Sequence, residues 1–117
     1  MVSNANCLFC RIANGEIPAK KIFEDADAIA FQDINPQAPT HVLVIPRRHI
    51  PSLDDLTDSD AQAIGKTIVR ASTIAHDLGL HVDGYRLVAN NGEGAGQTVF
   101  HIHFHLMGGR RFTWPPG

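Results

Sequence analysis

With 117 residues, 44% of them apolar and 19% charged, the chain has material for one hydrophobic core and too little for two, and this balance excludes a disordered chain. A formal net charge of -2 provides no broad basic face, which argues against a nucleic-acid polymer as partner but leaves room for a small anion held by local groups. No apolar run is long enough to span a membrane and the opening MVSNANCLFC lacks the pattern of a secretory signal, so a reducing, cytoplasmic setting is expected.

Residues 7–14, CLFCRIAN, read as a short helix closed by Gly15, with Pro18 preventing its continuation. They also hold the chain's two cysteines, Cys7 and Cys10, in the C-x-x-C spacing of a metal or redox pair. KIFEDADAIAFQDI breaks at Glu24 to Asp27 into two apolar runs, as a hairpin does. THVLVIP, residues 40–46, is apolar on both parities and predicts a strand buried on both faces. A longer helix is expected from about Asp58 to Leu78, capped by Thr57 with Asp60 and stopped by Gly79. Ile64, Ile68, Ala71, Ala75 and Leu78 would form its buried stripe. YRLVANN, residues 85–91, is a fourth strand, and the glycine-rich GEGAGQT leads into a fifth. The expected class is α+β: a five-stranded antiparallel sheet with one short N-terminal helix and one long helix, the helices on one face, in a single domain over 1–117.

The fifth strand carries HIHFH, which aligns His101, His103 and His105 in one row and sets Phe100, Ile102, Phe104 and Leu106 in the other. The apolar row predicts the core face. Three imidazoles in a row suit either a shared zinc or nucleophilic and acid–base chemistry, since neighbouring rings set one another's tautomer and charge. GEGAGQT supplies backbone N–H groups suited to an anion such as phosphate, and it matches neither a Walker loop nor a dinucleotide fingerprint. His41 and His49 flank the buried strand, whereas His76 and His81 read as surface residues.

HIHFHLM closely resembles the His-x-His-x-His-x-x signature of the histidine triad (HIT) superfamily. DINPQAPTHVLVIPRRHI, YRLVANNGEGAGQTVFHIHFHLMGGR and the terminal WPPG look like its Hint branch, the histidine triad nucleotide-binding proteins. The resemblance implies a homodimer that binds purine nucleoside monophosphates and cleaves their phosphoramidates, with no catalytic metal. His103 would attack the α-phosphorus to form a nucleotidyl-histidine, which water then resolves. His105 and His41 would orient the phosphoryl oxygens and the nucleophile. Thr98 would face the leaving group, standing where the family commonly has serine.

For the nucleotide, the same resemblance puts Asp33 on the ribose hydroxyls, Leu8, Phe9, Ile12, Phe31 and Ile34 around the base, and Asn90, Gly96, Gln97 and Thr98 at the phosphate. It further implies a structural zinc held by Cys7, Cys10, His49 and His101, a closed two-thiolate, two-imidazole set whose loss would lower stability more than chemistry. Trp114 would reach across the dimer to the leaving-group side of the partner's site. The absence of a Pro-Arg pair after the triad disfavours a dinucleoside polyphosphate hydrolase. A nucleotide-binding or partner-binding module with incidental hydrolysis is the alternative from another class.

Overall fold

A computed structural model describes residues 4–117. Its first helix, α1 (Leu8–Ala13), begins at Cys7, whose sulfur accepts the Cys10 N–H at 3.3 Å, and ends before Gly15, which takes the left-handed φ of 78°. The hairpin follows as β1 (Lys21–Glu24) and β2 (Ala28–Gln32). The Asp25 carboxylate makes its turn, accepting the N–H groups of Asp27 and Ala28 at 2.8 Å each. Strand β3 (Thr40–Pro46), helix α2 (Ala61–Asp77), β4 (Tyr85–Val88) and β5 (Phe104–Gly108) complete the chain. All five strands form one antiparallel sheet in the order β1-β2-β3-β5-β4, as expected.

The helices, expected on one face, lie on opposite faces. α1 contributes Phe9, Cys10 and Ile12 to a core with Ile29, Phe31, Leu43 and Ile45. α2 packs Ala71, Ile74 and Ala75 against the alternate residues Ala30, Val42, Val44 and Leu106. The reason is visible in β2 and β3, which are apolar on both parities, so each face of the sheet requires its own cover.

The long helix departs from expectation in two details. Residues 58–60 form a 3₁₀ turn before the α-helix proper, with the Asp60 carboxylate accepting the Thr57 N–H at 3.0 Å. Its buried stripe runs through Thr67, Ala71, Ile74 and Ala75. Ile64 is half-buried, while Ile68 is 41% and Leu78 50% exposed. Two alanines on that stripe let the helix approach the sheet closely. Buried Thr67 is tolerated because its hydroxyl donates to the Ala63 carbonyl at 2.8 Å. Among the described residues, no helix is long and apolar enough to cross a membrane.

Candidate active site and metal site

The histidine row departs from a regular strand. β5 begins only at Phe104: its pairing with β3 stops at Val44 opposite Phe104, although β3 itself runs on to Pro46, and residues 100–103 leave the ladder. There the Ile102 N–H donates instead to the Ile50 carbonyl at 2.7 Å. Ile102, Phe104 and Leu106 are buried as expected, but Phe100 is 51% exposed and lines a surface groove beside His49. The opposite row is not open to solvent either: His101 and His103 are buried beneath α1, and His105 is half-buried next to Leu43 of β3.

Hydrogen bonds fix which nitrogen of each ring carries a proton. The Gln37 N–H donates to His41 Nδ1 at 2.9 Å, so the neutral His41 ring bears its hydrogen on Nε2. That Nε2–H donates to His105 Nδ1 at 2.9 Å and lies 3.4 Å from the Asp33 carboxylate. His105 then carries its own hydrogen on Nε2. His103 Nδ1–H donates to the His101 carbonyl at 2.8 Å, leaving a lone pair on His103 Nε2. The arrangement therefore supplies one imidazole lone pair and one adjacent N–H donor, with the His103 and His105 rings 5.0 Å apart.

Burial keeps the supporting rings uncharged. His105 is pushed down to about 4, first by desolvation and then by the His103 and His41 rings, with Asp33 opposing. Desolvation likewise lowers His41 against the pull of Asp33.

The His103 and His105 rings open onto a cleft of about 520 Å³ between α1 and the sheet, lined also by Leu8, Phe9, Ile12, Phe31, Asp33, Ile34 and Thr98. The cleft thus gathers the apolar set expected around a base with Asp33, Thr98 and the two histidines. Pro18, Ala19 and Lys20 also line it, and the sequence reading missed them. Their signal was the short connection from α1 to β1, which must cross the mouth of any cleft under α1.

The glycine-rich loop is more committed than its composition suggests. The N–H groups of Ala95 and Gln97 donate to the Gly92 carbonyl, that of Gly96 to Glu93, and that of Gly92 to Gln97 Oε1. Gln97 is buried, and its amide nitrogen donates to Pro51 at 2.8 Å and Val99 at 3.1 Å. Its side chain is a strut of the loop, and its partners lie within the protein. Asn90 stands beside Gly96, its amide nitrogen 3.9 Å from where a Cβ on that glycine would sit.

A second cluster lies behind the first. His101 Nε2–H donates to the Pro46 carbonyl at 2.8 Å, which turns Nδ1 toward Cys7 Sγ (3.4 Å), Cys10 Sγ (3.5 Å) and His49 Nδ1 (3.3 Å). Cys10 Sγ is also 3.3 Å from His49 Nδ1. Tetrahedral zinc, with bonds of about 2.3 Å to sulfur and about 2.0 Å to nitrogen, separates its ligand atoms by roughly 3.3–3.8 Å. These four distances match those edges, and all four donor atoms lie within 4.8 Å of one another. Burial pushes the Cys10 thiol up to about 11, with the Cys7 thiol adding, and pushes His101 down to about 4, with His49 and His103 adding. A proton is thus poorly replaced by bare charge here, and a soft divalent cation suits the set. The carbonyl behind His101 is the outer partner expected of a ligating imidazole. His76 and His81 stack on the surface at 3.9 Å and join neither site.

An uncharacterized HIT-like protein of Synechocystis is 49% identical over 110 residues, covering 94% of this chain and 96% of its own. The crystal structure of a HIT family hydrolase from Legionella pneumophila superposes with a TM-score of 0.94 at 54% identity, covering 96% of this chain and all of that one. A HIT family hydrolase from Clostridium thermocellum superposes with a TM-score of 0.91 at 45% identity, covering 95% and 96%. The HIT domain itself matches residues 14–112. With the triad, the cleft and these likenesses in agreement, the chain belongs to the HIT domain family.

Proposed function

We propose that the protein is a nucleotidyl hydrolase that cleaves purine nucleoside 5'-phosphoramidates. The observation that carries this reading is the hydrogen bond from His103 Nδ1–H to the His101 carbonyl, which leaves the His103 Nε2 lone pair available beside a cleft of nucleotide size. Two relatives bearing the name hydrolase support it.

In the first step His103 Nε2 forms a bond to the α-phosphorus as the P–N bond to the amine breaks, and the amine departs with a proton taken from solvent, which the attacking water gives back in the second step. Water then attacks the same phosphorus, the His103–phosphorus bond breaks, and the nucleoside monophosphate leaves. His105 Nε2–H, oriented by His41 and Asp33, donates to a phosphoryl oxygen as charge gathers there. The Thr98 hydroxyl faces the leaving group. Asp33 accepts from the ribose hydroxyls, and the apolar slot of Leu8, Phe9, Ile12, Phe31 and Ile34 selects the base by shape, so adenine and guanine are weakly discriminated. Cys7, Cys10, His49 and His101 would hold a zinc ion, whose contribution is to pin α1 to the sheet.

The working unit of this reading is a homodimer. Ile68 and Val69 on the outer face of α2 are 41% and 55% exposed, which suits burial by a second copy. Arg86 donates to the Thr113 carbonyl at 2.9 Å, and Phe112 lies under Arg86 and Arg110, so the tail is anchored up to Trp114, itself 83% exposed. That exposure suits a residue completing a neighbouring site.

The test is amine release from an adenosine phosphoramidate carrying a fluorescent amine, by the wild type and by His103→Ala. Rapid release by the wild type and a fall of several orders of magnitude in the variant is the expected result. If both are inert yet bind AMP, the triad is a binding site and the enzymatic reading falls.

A further inference from the structure

His101 belongs to both sites. Its Nδ1 faces Cys7, Cys10 and His49, while its backbone carbonyl accepts the Nδ1–H of His103. α1 also reaches both, because Cys7 and Cys10 bracket Phe9, whose ring meets His103 edge-on with centroids 5.2 Å apart and planes at 85°. Phe9 is held in turn against Phe31, edge-on at 5.3 Å. Residues 100–103 lie outside the β-ladder, so the sheet does not fix the His101 carbonyl. Its anchors are the Ile102 N–H bond to Ile50, the His101 Nε2–H bond to Pro46 and the cluster itself.

From these juxtapositions we propose that the cluster Cys7, Cys10, His49 and His101, when it holds zinc, is a positioning device for the nucleophile. It fixes the carbonyl that sets the His103 tautomer and the Phe9 edge that aims the ring. Released from that carbonyl, the ring is free to carry its hydrogen on either nitrogen, and a ring with hydrogen on Nε2 has its lone pair on Nδ1, turned away from phosphorus. The consequence for turnover rests on the nucleotidyl-transfer reading above; the consequence for the tautomer does not.

The experiment compares zinc-loaded protein with protein stripped by a chelator, its fold checked by circular dichroism. Long-range ¹H–¹⁵N spectra report the His103 tautomer, and kcat and KM are measured on the adenosine phosphoramidate. Zinc-loaded protein is expected to show the Nδ1–H form. Stripped protein should show a mixture, with kcat reduced about fivefold, the worth of one net hydrogen bond, and KM little changed. Restored zinc should reverse both.

An unchanged His103 spectrum and kcat in folded, stripped protein would overturn the proposal and leave zinc a purely structural role. Complete loss of turnover with the tautomer intact would also overturn it, in favour of a metal that enters the chemistry. Should stripping unfold the chain, the His103 spectrum of Phe9→Leu decides: a mixture of tautomers at unchanged zinc content supports the proposal, and an unchanged Nδ1–H form refutes it. A zinc-loaded wild type that shows the Nδ1–H form but releases no amine would sink the nucleotidyl-transfer reading alone.

Discussion

Holding His105 uncharged has a cost that acid should expose. Its folded-state pKa, pushed from 6.5 to about 4, lies below that of the unfolded chain, so the unfolded state takes up the proton first. The sign follows: stability tied to this residue is fully present above about pH 6.5 and is lost as pH falls toward 4. Between pH 7.5 and pH 5 the loss amounts to about 2 kcal/mol, at 1.36 kcal/mol for each pKa unit traversed. Urea unfolding of the wild type and His105→Gln at both pH values isolates the term, because acid effects common to the two proteins cancel in the difference. The variant should lose about 2 kcal/mol less than the wild type over that interval. Parallel losses would refute the reasoning and show that His105 is already solvated or charged in the folded protein.

Other expectations are simpler to state. At Gly109, φ is +91° and an added Cβ would fall 2.8 Å from Pro39 Cβ, so Gly109→Ala should lose about 2–4 kcal/mol from left-handed strain and overpacking. A melting temperature equal to wild type would contradict that geometry. Asp33→Asn keeps the shape but removes the carboxylate, and calorimetry should find AMP bound about tenfold more weakly, the loss of charge-assisted hydrogen bonds to the ribose. Equal affinity would remove Asp33 from the ribose. Deleting residues 112–117 should alter the preference among amine leaving groups, and an unaltered preference would detach Trp114 from the site.

Much of the fold was legible because local signals coincided with global ones. Gly15 and Gly79 end helices where the apolar pattern stops, both with positive φ, and the break at residues 25–27 is a turn. What misled was reasoning from one element alone. The two-sided apolarity of residues 40–46 demands cover on both faces, whereas element order alone points to helices on one. Four-three spacing counted from Ile64 led to Ile68 and Leu78 on the core face, although small residues decide which side of α2 can approach the sheet. Alternation identified His101, His103 and His105 as one row. It could not show that the strand assignment fails before Phe104, where the Ile102 N–H is taken by the Ile50 carbonyl, a partner outside the sheet.

The site was legible in residue type more than in connection. Alternation and spacing do not say that Gln37 orients His41, that Pro46 backs His101 or that Gln97 serves its own loop. The Pro46–His101 contact joins segments 55 residues apart whose approach is set only once the sheet has formed, while the other two are local bonds that depend on turn geometry, which periodicity does not encode.

The internal hydrogen bonding of the Gly92–Gln97 loop has a consequence for its stiffness. The N–H groups of Gly92, Ala95, Gly96 and Gln97 are already committed within the loop, so turning any of them toward an outside anion would first break a bond already made. The ordering entropy of this segment was settled once, when the chain folded.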